Sequence, residues 1–285
     1  MDTFYIIANS QKEDSIRLRD RIAGYLRDCG KICSYQEECV PQEAAGYRFT
    51  DPKKVPEDVE CVIVLGGDGT VIQAARDLAC RDVAFLGVNL GTVGYLAEIE
   101  AKEYEEALNS LMRGEYHLES RMMLDGKAYG KAGELYHSRA LNDIVISRTG
   151  GLRIINFQIF VNGRYLKSYN ADGMIISTPT GSTGYNLSAG GPIVEPGADM
   201  LLVTPICAHS VNARSIVLSG EDVVEVVIGP GRKTKEEQAV ATFDGDTAVT
   251  LVTGERIVIR KSGRNTKLIK LNDRSFLEIL SKKLK

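Results

Sequence analysis

Tryptophan is absent from the 285 residues, and only three are histidine. The six cysteines, Cys29, Cys33, Cys39, Cys61, Cys80 and Cys207, form no Cys-x-x-Cys pair. Structural zinc draws on closer pairs, so reduced thiols in packing roles are expected. No basic excess exists: the net charge is -3, which argues against nucleic acid as a partner. No apolar run approaches a membrane span, so no membrane partner is expected. The first residues, Met1-Asp2-Thr3-Phe4-Tyr5, lack the basic start of a signal peptide, and a cytoplasmic location is the expectation. Signature motifs are missing too. There is no G-x-x-x-x-G-K-[ST] loop, no G-x-G-x-x-G opening the first helix, no kinase H-R-D loop and no G-x-S-x-G elbow. Each absence removes one familiar way to bind a nucleotide or activate a nucleophile.

What the chain does have is Gly66-Gly67-Asp68-Gly69-Thr70. An apolar run, Val62 to Leu65, precedes it, and residues 71–79 follow with helical apolar spacing. Strand, glycine turn and helix together make an anion cradle. Glycine lets a phosphate approach the main chain, and the N–H groups of the next helix face it. Asp68 is the odd member. A carboxylate repels phosphate, so it needs separate work as a general base or a magnesium contact. Read as Asp-Gly alone, the stretch is also a common hairpin turn. A hairpin needs a second alternating strand, and none follows Thr70.

Around this turn the first part of the chain alternates. Strands are expected at residues 3–9, 31–35, 60–65 and 83–88, and helices at 15–27, 71–79 and 101–113. Residues 36–57 contain Pro41, Gly46, Pro52 and Pro56 and read as irregular. This order means a parallel sheet flanked by helices, with ligands at the carboxyl ends of its strands. Past Tyr116 the texture changes to short strands, expected at 121–124, 141–147, 154–161, 164–168, 174–177, 215–218, 223–228, 239–243, 248–252 and 256–260. Asn162-Gly163 between two of them is a strong hairpin signal. Residues 274–284 return to a helical pattern. The expected fold is a Rossmann-like α/β N-terminal domain with a parallel sheet plus an all-β sandwich C-terminal domain. The boundaries are residues 1–118, 119–265, and 266–285 returning to the α/β domain.

Four further stretches carry chemistry. Residues 172–185 run from Asp172 through a strand into Thr178-Pro179-Thr180-Gly181-Ser182-Thr183-Gly184-Tyr185, then reach Ser188-Ala189-Gly190-Gly191-Pro192. Hydroxyls and free N–H groups suit the ribose and phosphates of a nucleotide, though such residues also make ordinary loops. Asn142-Asp143 interrupts an apolar strand. Asn can pair with the donor and acceptor edge of an adenine, and the competing reading is an edge strand with a wet face. Leu90-Gly91-Thr92-Val93-Gly94-Tyr95-Leu96 follows the fourth strand, at the sheet end that holds the glycine turn. Asp244-Gly245-Asp246 reads equally as a hairpin or as function.

Together these residues resemble the NAD kinase family in its bacterial form. The carriers are residues 66–70, 89–96, Asn142-Asp143, 172–185 and 188–192, in the family's order and over most of the chain. The glycine loop alone is shared with diacylglycerol, sphingosine and, in related form, phosphofructokinases. The resemblance implies transfer of the terminal phosphate of ATP or polyphosphate to the 2′-hydroxyl of the adenosine ribose of NAD, with a divalent metal such as Mg2+. It implies Asp68 as the base, with Gly66, Gly67, Gly69 and Thr70 at the donor phosphates and magnesium held there rather than by a protein cage. Asp68, Gly69, Tyr95, Leu96, Asn142, Asp143, Asp172, Thr180, Thr183, Gly184, Tyr185 and Ser188 would contact NAD. Asn142 would read the adenine, Asp143 would lie near a ribose, and Asp172 near the nicotinamide. A homodimer or homotetramer is implied as well. The family mostly carries alanine where this chain has Gly184. A lipid kinase would lack the Asn142-Asp143 pair, and a non-catalytic NAD sensor would have no use for Asp68.

Overall fold

The computed structural model describes residues 1–9, 12–36, 50–91, 94–150, 154–210, 212–231, 236–246, 248–272 and 275–283. Of the sequence expectations, most of the irregular 36–57 stretch, Cys39, Thr92-Val93 and the ends of the 274–284 helix lie outside these residues. The chain forms two compact units, residues 1–121 with 266–285, and residues 122–265.

In the first unit, strands alternate with helices: β1 (Thr3–Ala8), α1 (Glu13–Asp28), β2 (Ile32–Tyr35), β3 (Cys61–Leu65), α2 (Asp68–Asp77), β4 (Ala84–Asn89), β5 (Ile99–Glu100) and α3 (Tyr104–Arg113). The strands run parallel in the order β4, β3, β1, β2, with Ala8 beside Leu65 and Leu65 beside Val88. All residues of β3 and β4 are buried, as the unbroken apolar runs require when both faces of a sheet are covered. Helix α1 turns Leu18, Ile22, Ala23 and Leu26 inward, and α3 turns Tyr104, Ala107, Leu108 and Leu111 inward; both stripes join one core with Phe4, Ile6, Ile63 and Leu86. Each fully buried Leu or Ile contributes about 2 kcal/mol relative to exposure. Gly114, at φ 78°, ends α3 in the left-handed conformation that side chains resist. From β1 the chain goes to one neighbour through α1 and later returns to the other side as β3. The strand order therefore reverses between β1 and β3, and in open α/β sheets ligands bind at the carboxyl ends of the strands at such a point.

The second unit takes up β6 (His117–Gly130) from residue 122. It continues with β7 (Gly133–Ala140), β8 (Asp143–Arg148), β9 (Ile155–Val161), β10 (Arg164–Ala171), β11 (Gly173–Ser177), α4 (Tyr185–Ser188), β12 (Met200–Ile206), β13 (Ile216–Ser219), β14 (Val224–Ile228), β15 (Gln238–Phe243), β16 (Ala248–Val252) and β17 (Arg256–Lys270). Strands β13, β12, β11, β8, β15 and β16 form one antiparallel sheet; β10, β9, β14 and the first residues of β17 form a second antiparallel layer. Their inward residues, among them Ile144, Ile146, Phe157, Ile159, Met174, Ile176, Val226 and Phe243, build one core. Asn162 and Gly163 adopt φ of 50° and 74°, the paired left-handed conformation of a type I′ hairpin. The last described element is α5 (Phe276–Lys283), in the first unit. The expected fold class, a parallel α/β domain followed by a β-sandwich, is the observed one.

Three expectations change in detail. Helix α2 begins at Asp68, three residues before its apolar stripe, so the aspartate is itself helical. Strand β8 begins at Asp143 and lies between β11 and β15, so Asn142 precedes the strand and the edge-strand reading fails. Strands β7 and β12 were not expected, and β6 and β17 extend far beyond their apolar residues.

Candidate functional site

At the end of β3 the Gly66 N–H donates to Val88 O at 3.0 Å, joining the turn to β4. Gly67 caps α2 with extended backbone, and its carbonyl accepts from the Thr70 N–H at 3.0 Å. The first N–H groups of a helix have no intrahelical acceptor, so those of Asp68 and Gly69 are available to an anion. Gly67 and Gly69 are exposed, while Gly66 is buried against Thr70, where a Cβ would meet the hydroxyl at 2.4 Å. The glycines thus divide: one permits packing, two permit approach.

The Asp68 carboxylate does not float in this cradle. Oδ2 accepts the Tyr95 N–H at 2.7 Å and Oδ1 accepts the Leu96 N–H at 3.0 Å. The two motifs that were only adjacent in expectation are therefore bonded. Gly94 leaves the space that the carboxylate fills. Leu96 is buried and Tyr95 is half-buried; burial first, and then the Asp68 charge, raise the Tyr95 phenol above its ordinary value. Just upstream, buried Asn89 closes a local ring, its Nδ2 donating to Gly91 O at 2.7 Å and its Oδ1 accepting the Gly91 N–H at 3.1 Å.

In the second unit, Asn142 and Asp143 meet the hydroxyl-rich loop. The Asn142 carbonyl accepts from the Thr178 N–H at 2.9 Å, the Ser177 hydroxyl at 3.1 Å and the Thr178 hydroxyl at 3.2 Å. Gly181 passes so near that a Cβ would lie 2.2 Å from that carbonyl, and one on Gly184 would lie 3.5 Å from Asn142 Nδ2. The Asn142 side-chain Oδ1 is buried and has no hydrogen-bond partner among the described residues. An unpaired buried acceptor is costly and points to a donor from a ligand.

Asp244 resolves the choice left by Asp-Gly. It sits in a hairpin turn, at φ 53° with Gly245 at 71°, closed by the Asp246 N–H donating to Phe243 O at 3.1 Å. From that turn its carboxylate accepts the N–H groups of Leu141 at 2.8 Å, Asn142 at 2.8 Å and Asp143 at 3.2 Å. Burial of Asp143, and then the nearby Asp244 charge, push the Asp143 carboxyl up to about 7.

The hydroxyl loop splits by role. Ser177, Thr178 and Ser182 are buried and spend their hydroxyls on the main chain, Ser182 bridging Val194 O at 3.1 Å and Val194 N at 3.0 Å. Asn186 is fully buried, donates to Ser182 O at 3.2 Å and Pro192 O at 3.0 Å, and accepts from the Thr204 hydroxyl at 2.7 Å. The sequence reading missed this anchor, which lies between residues 172–185 and 188–192. Thr180 is buried, Thr183 and Gly184 are half-buried, and Tyr185 and Ser188 are exposed. Asp172 stands apart from Asn142. It pairs with Arg148 Nε at 2.9 Å, at the far end of β8. That is roughly 17 Å from Asp143 by strand rise.

The residues fit magnesium only as a partner of donor phosphates. Among the described residues no cluster of three metal-ligating side chains exists, and the turn offers N–H groups, which suit phosphate oxygens. Among those residues, too, no helix is long and apolar enough to cross a membrane.

Residues 4–116 match the family model of the ATP-NAD kinase N-terminal domain, and residues 141–271 match that of the ATP-NAD kinase C-terminal domain. An NAD kinase of Lachnoclostridium phytofermentans is 46% identical, covering 99% of this chain and 99% of that one. An NAD kinase of Lachnospira eligens is 46% identical over the whole of both. Among solved structures, a yeast NADH kinase complexed with NADH superposes with a TM-score of 0.88 at 21% identity, covering 100% of this chain and 87% of that one. An NAD kinase from Archaeoglobus fulgidus in complex with ATP gives 0.78 at 24% identity, covering 99% and 98%. The two structures share the fold, and the two sequence relatives share nearly half of all residues from end to end. With both domain models matched in order and full-length relatives at this identity, the chain belongs to the NAD kinase family.

Proposed function

We propose that the chain transfers the terminal phosphate of ATP to the 2′-hydroxyl of the adenosine ribose of NAD, giving NADP and ADP. The observation that carries this reading is a carboxylate within a phosphate cradle, Asp68 at the first position of α2 between two exposed glycines. Such a group serves the acceptor, not the donor. As the ribose oxygen bonds to phosphorus and the bond to the β-phosphate oxygen breaks, Asp68 takes the hydroxyl proton. The turn of Gly66, Gly67, Gly69 and Thr70 holds the donor phosphates, with the N–H groups of Gly67 and Gly69 facing them, since those of Gly66 and Thr70 are bonded to Val88 O and Gly67 O. Magnesium held by those phosphates would neutralise their charge.

Asn142 pairs with the adenine, supported by its unpartnered buried Oδ1. Asp143 lies at a ribose, with Tyr95 and Leu96 flanking the dinucleotide. Thr180, Thr183, Gly184, Tyr185 and Ser188 line its path, and Asp172 meets the nicotinamide end. We assign the donor phosphates to the α/β unit, including its 266–285 return, and NAD recognition chiefly to the β-rich unit. The proposal includes a cytoplasmic homodimer or homotetramer.

The test is incubation with NAD, ATP and magnesium, with NADP read by an NADP-specific dehydrogenase. NADP formed by the wild type and lost in Asp68→Asn supports the reading. NADP formed only with polyphosphate reassigns the donor. No NADP with either donor, while NAD still binds, overturns the catalytic reading in favour of a sensor.

A further inference from the structure

The segment that carries Tyr95 is held from two directions within the α/β unit. From one side Asp68 accepts the Tyr95 and Leu96 N–H groups. From the other, the chain's own end reaches it. Glu98 is buried and accepts Lys270 Nζ at 2.6 Å, the Leu271 N–H at 3.0 Å and the Asn272 N–H at 3.0 Å. This carboxylate fixes the point from which the chain leaves for α5. In α5 the Phe276 ring lies 6.3 Å from the Tyr95 ring, tilted by 40°, and Lys283 Nζ sits 4.5 Å over the same ring. None of its residues is fully buried: Phe276, Ile279 and Leu280 are half-buried, and Leu277 is 69% exposed. An eight-residue helix is marginal by itself, so its placement depends on such contacts.

We propose that α5 is a positioning element for the substrate segment 94–96. Phe276 and Lys283 grip the Tyr95 ring, and Glu98 sets the helix within reach. The proposal rests on the reading above that Tyr95 and Leu96 flank the dinucleotide. The Tyr95 side chain is held by α5 and its N–H by Asp68. A ring left loose would therefore loosen the segment that flanks the dinucleotide. As positioning residues, Phe276 and Lys283 act through the Tyr95 ring, so their effect is expected in NAD affinity before the chemical step.

The experiment compares Phe276→Ala, Lys283→Gln and a chain ending at Asn272 with wild type. Expected is a KM for NAD raised about tenfold in Phe276→Ala and in the shortened chain, and about threefold in Lys283→Gln, as lost aromatic and cation–π contacts imply. In all three, kcat and the KM for ATP stay within about twofold. Phe276→Tyr restores the wild-type KM, and Leu277→Ala, at an exposed position of the same helix, leaves it unchanged. Hydrogen exchange of the Tyr95 and Leu96 amides provides a readout independent of turnover. It quickens in Phe276→Ala and recovers in Phe276→Tyr. Unchanged exchange and unchanged KM in Phe276→Ala would overturn the proposal, and so would a joint fall of kcat, affinity and thermal midpoint, which marks general destabilisation. If the shortened chain does not fold, the single substitutions decide. Failure of the NAD kinase reading looks different: the wild type itself would form no NADP, while exchange would still report whether α5 holds Tyr95.

Discussion

Asp68 and Gly94 compete for one volume: a Cβ on Gly94 would lie 1.8 Å from Asp68 Oδ1. The carboxylate reaches the Tyr95 and Leu96 N–H groups only because residue 94 has no side chain. Gly94→Ala is therefore expected to turn Asp68 away while leaving the sheet intact. A shift of that size costs catalysis about 100-fold. NADP formation should fall by that order, with a thermal midpoint near that of wild type. Near-normal turnover would show that Asp68 need not stand where it stands.

Asp68→Asn tests the other partner of the same pair. Asparagine keeps one oxygen, so one of the two backbone N–H groups retains its acceptor while the other faces an amide NH2. Turnover is expected to drop by about 1,000-fold, within the range for loss of a positioned base. NAD affinity, measured by calorimetry, should weaken by no more than about threefold, because neither Asn142 nor the hydroxyl loop is altered. A variant that lost affinity and rate together would place Asp68 in holding the segment rather than in taking the proton.

Much of this arrangement was legible in the sequence, and the rest was not for definable reasons. The apolar runs of β3 and β4 and the stripes of α1 and α3 announce themselves because each buries a continuous face. Asn162-Gly163 announces its turn because few residues tolerate φ of 50° and 74°. Strand β12 hid behind Pro205, which ordinarily demotes a strand, and β7 behind a largely polar run with half of its residues exposed. The far half of β17, with Ser262, Gly263, Arg264, Asn265 and Thr266, looks like a loop. In the site, the residue types were readable but their partners were not. Asp68 bonds residues 27 and 28 positions away, and Asp244 bonds residues more than a hundred away. No local pattern encodes such pairs.

Asp244 gives a third prediction. Its two oxygens serve three successive N–H groups at the start of β8. Asp244→Ala would strand those donors, and its cost is expected at about 3 kcal/mol by urea unfolding. The same change frees Asn142, so the KM for NAD should rise at least about tenfold. Asn142→Ala, which leaves the backbone held, should raise that KM with little loss of stability, since its Oδ1 has no partner to lose. A normal KM in Asn142→Ala would remove it from adenine recognition. A destabilised fold with normal KM in Asp244→Ala would confine Asp244 to the hairpin.

Asp143 predicts how stability depends on pH. Burial and the Asp244 charge raise its carboxyl from 3.8 to about 7 in the folded chain. Between those values the folded state holds a proton that the unfolded state has released. Folding is thereby favoured at the acid end of the window, and that advantage is lost as pH rises towards 7. Below 3.8 both states are protonated and above 7 both are ionised, so this contribution is flat outside the window. Its full size is on the order of 4 kcal/mol. Urea unfolding at pH 5 and pH 8 checks it in wild type and Asp143→Asn. The wild type should lose stability between the two conditions by more than the variant does, because asparagine carries no charge to bury. The variant should also be the better tolerated substitution at pH 8, where the ionised Asp143 faces Asp244. Equal losses in the two proteins would mean that Asp143 is ionised in the fold at pH 5, and that a partner compensates its burial.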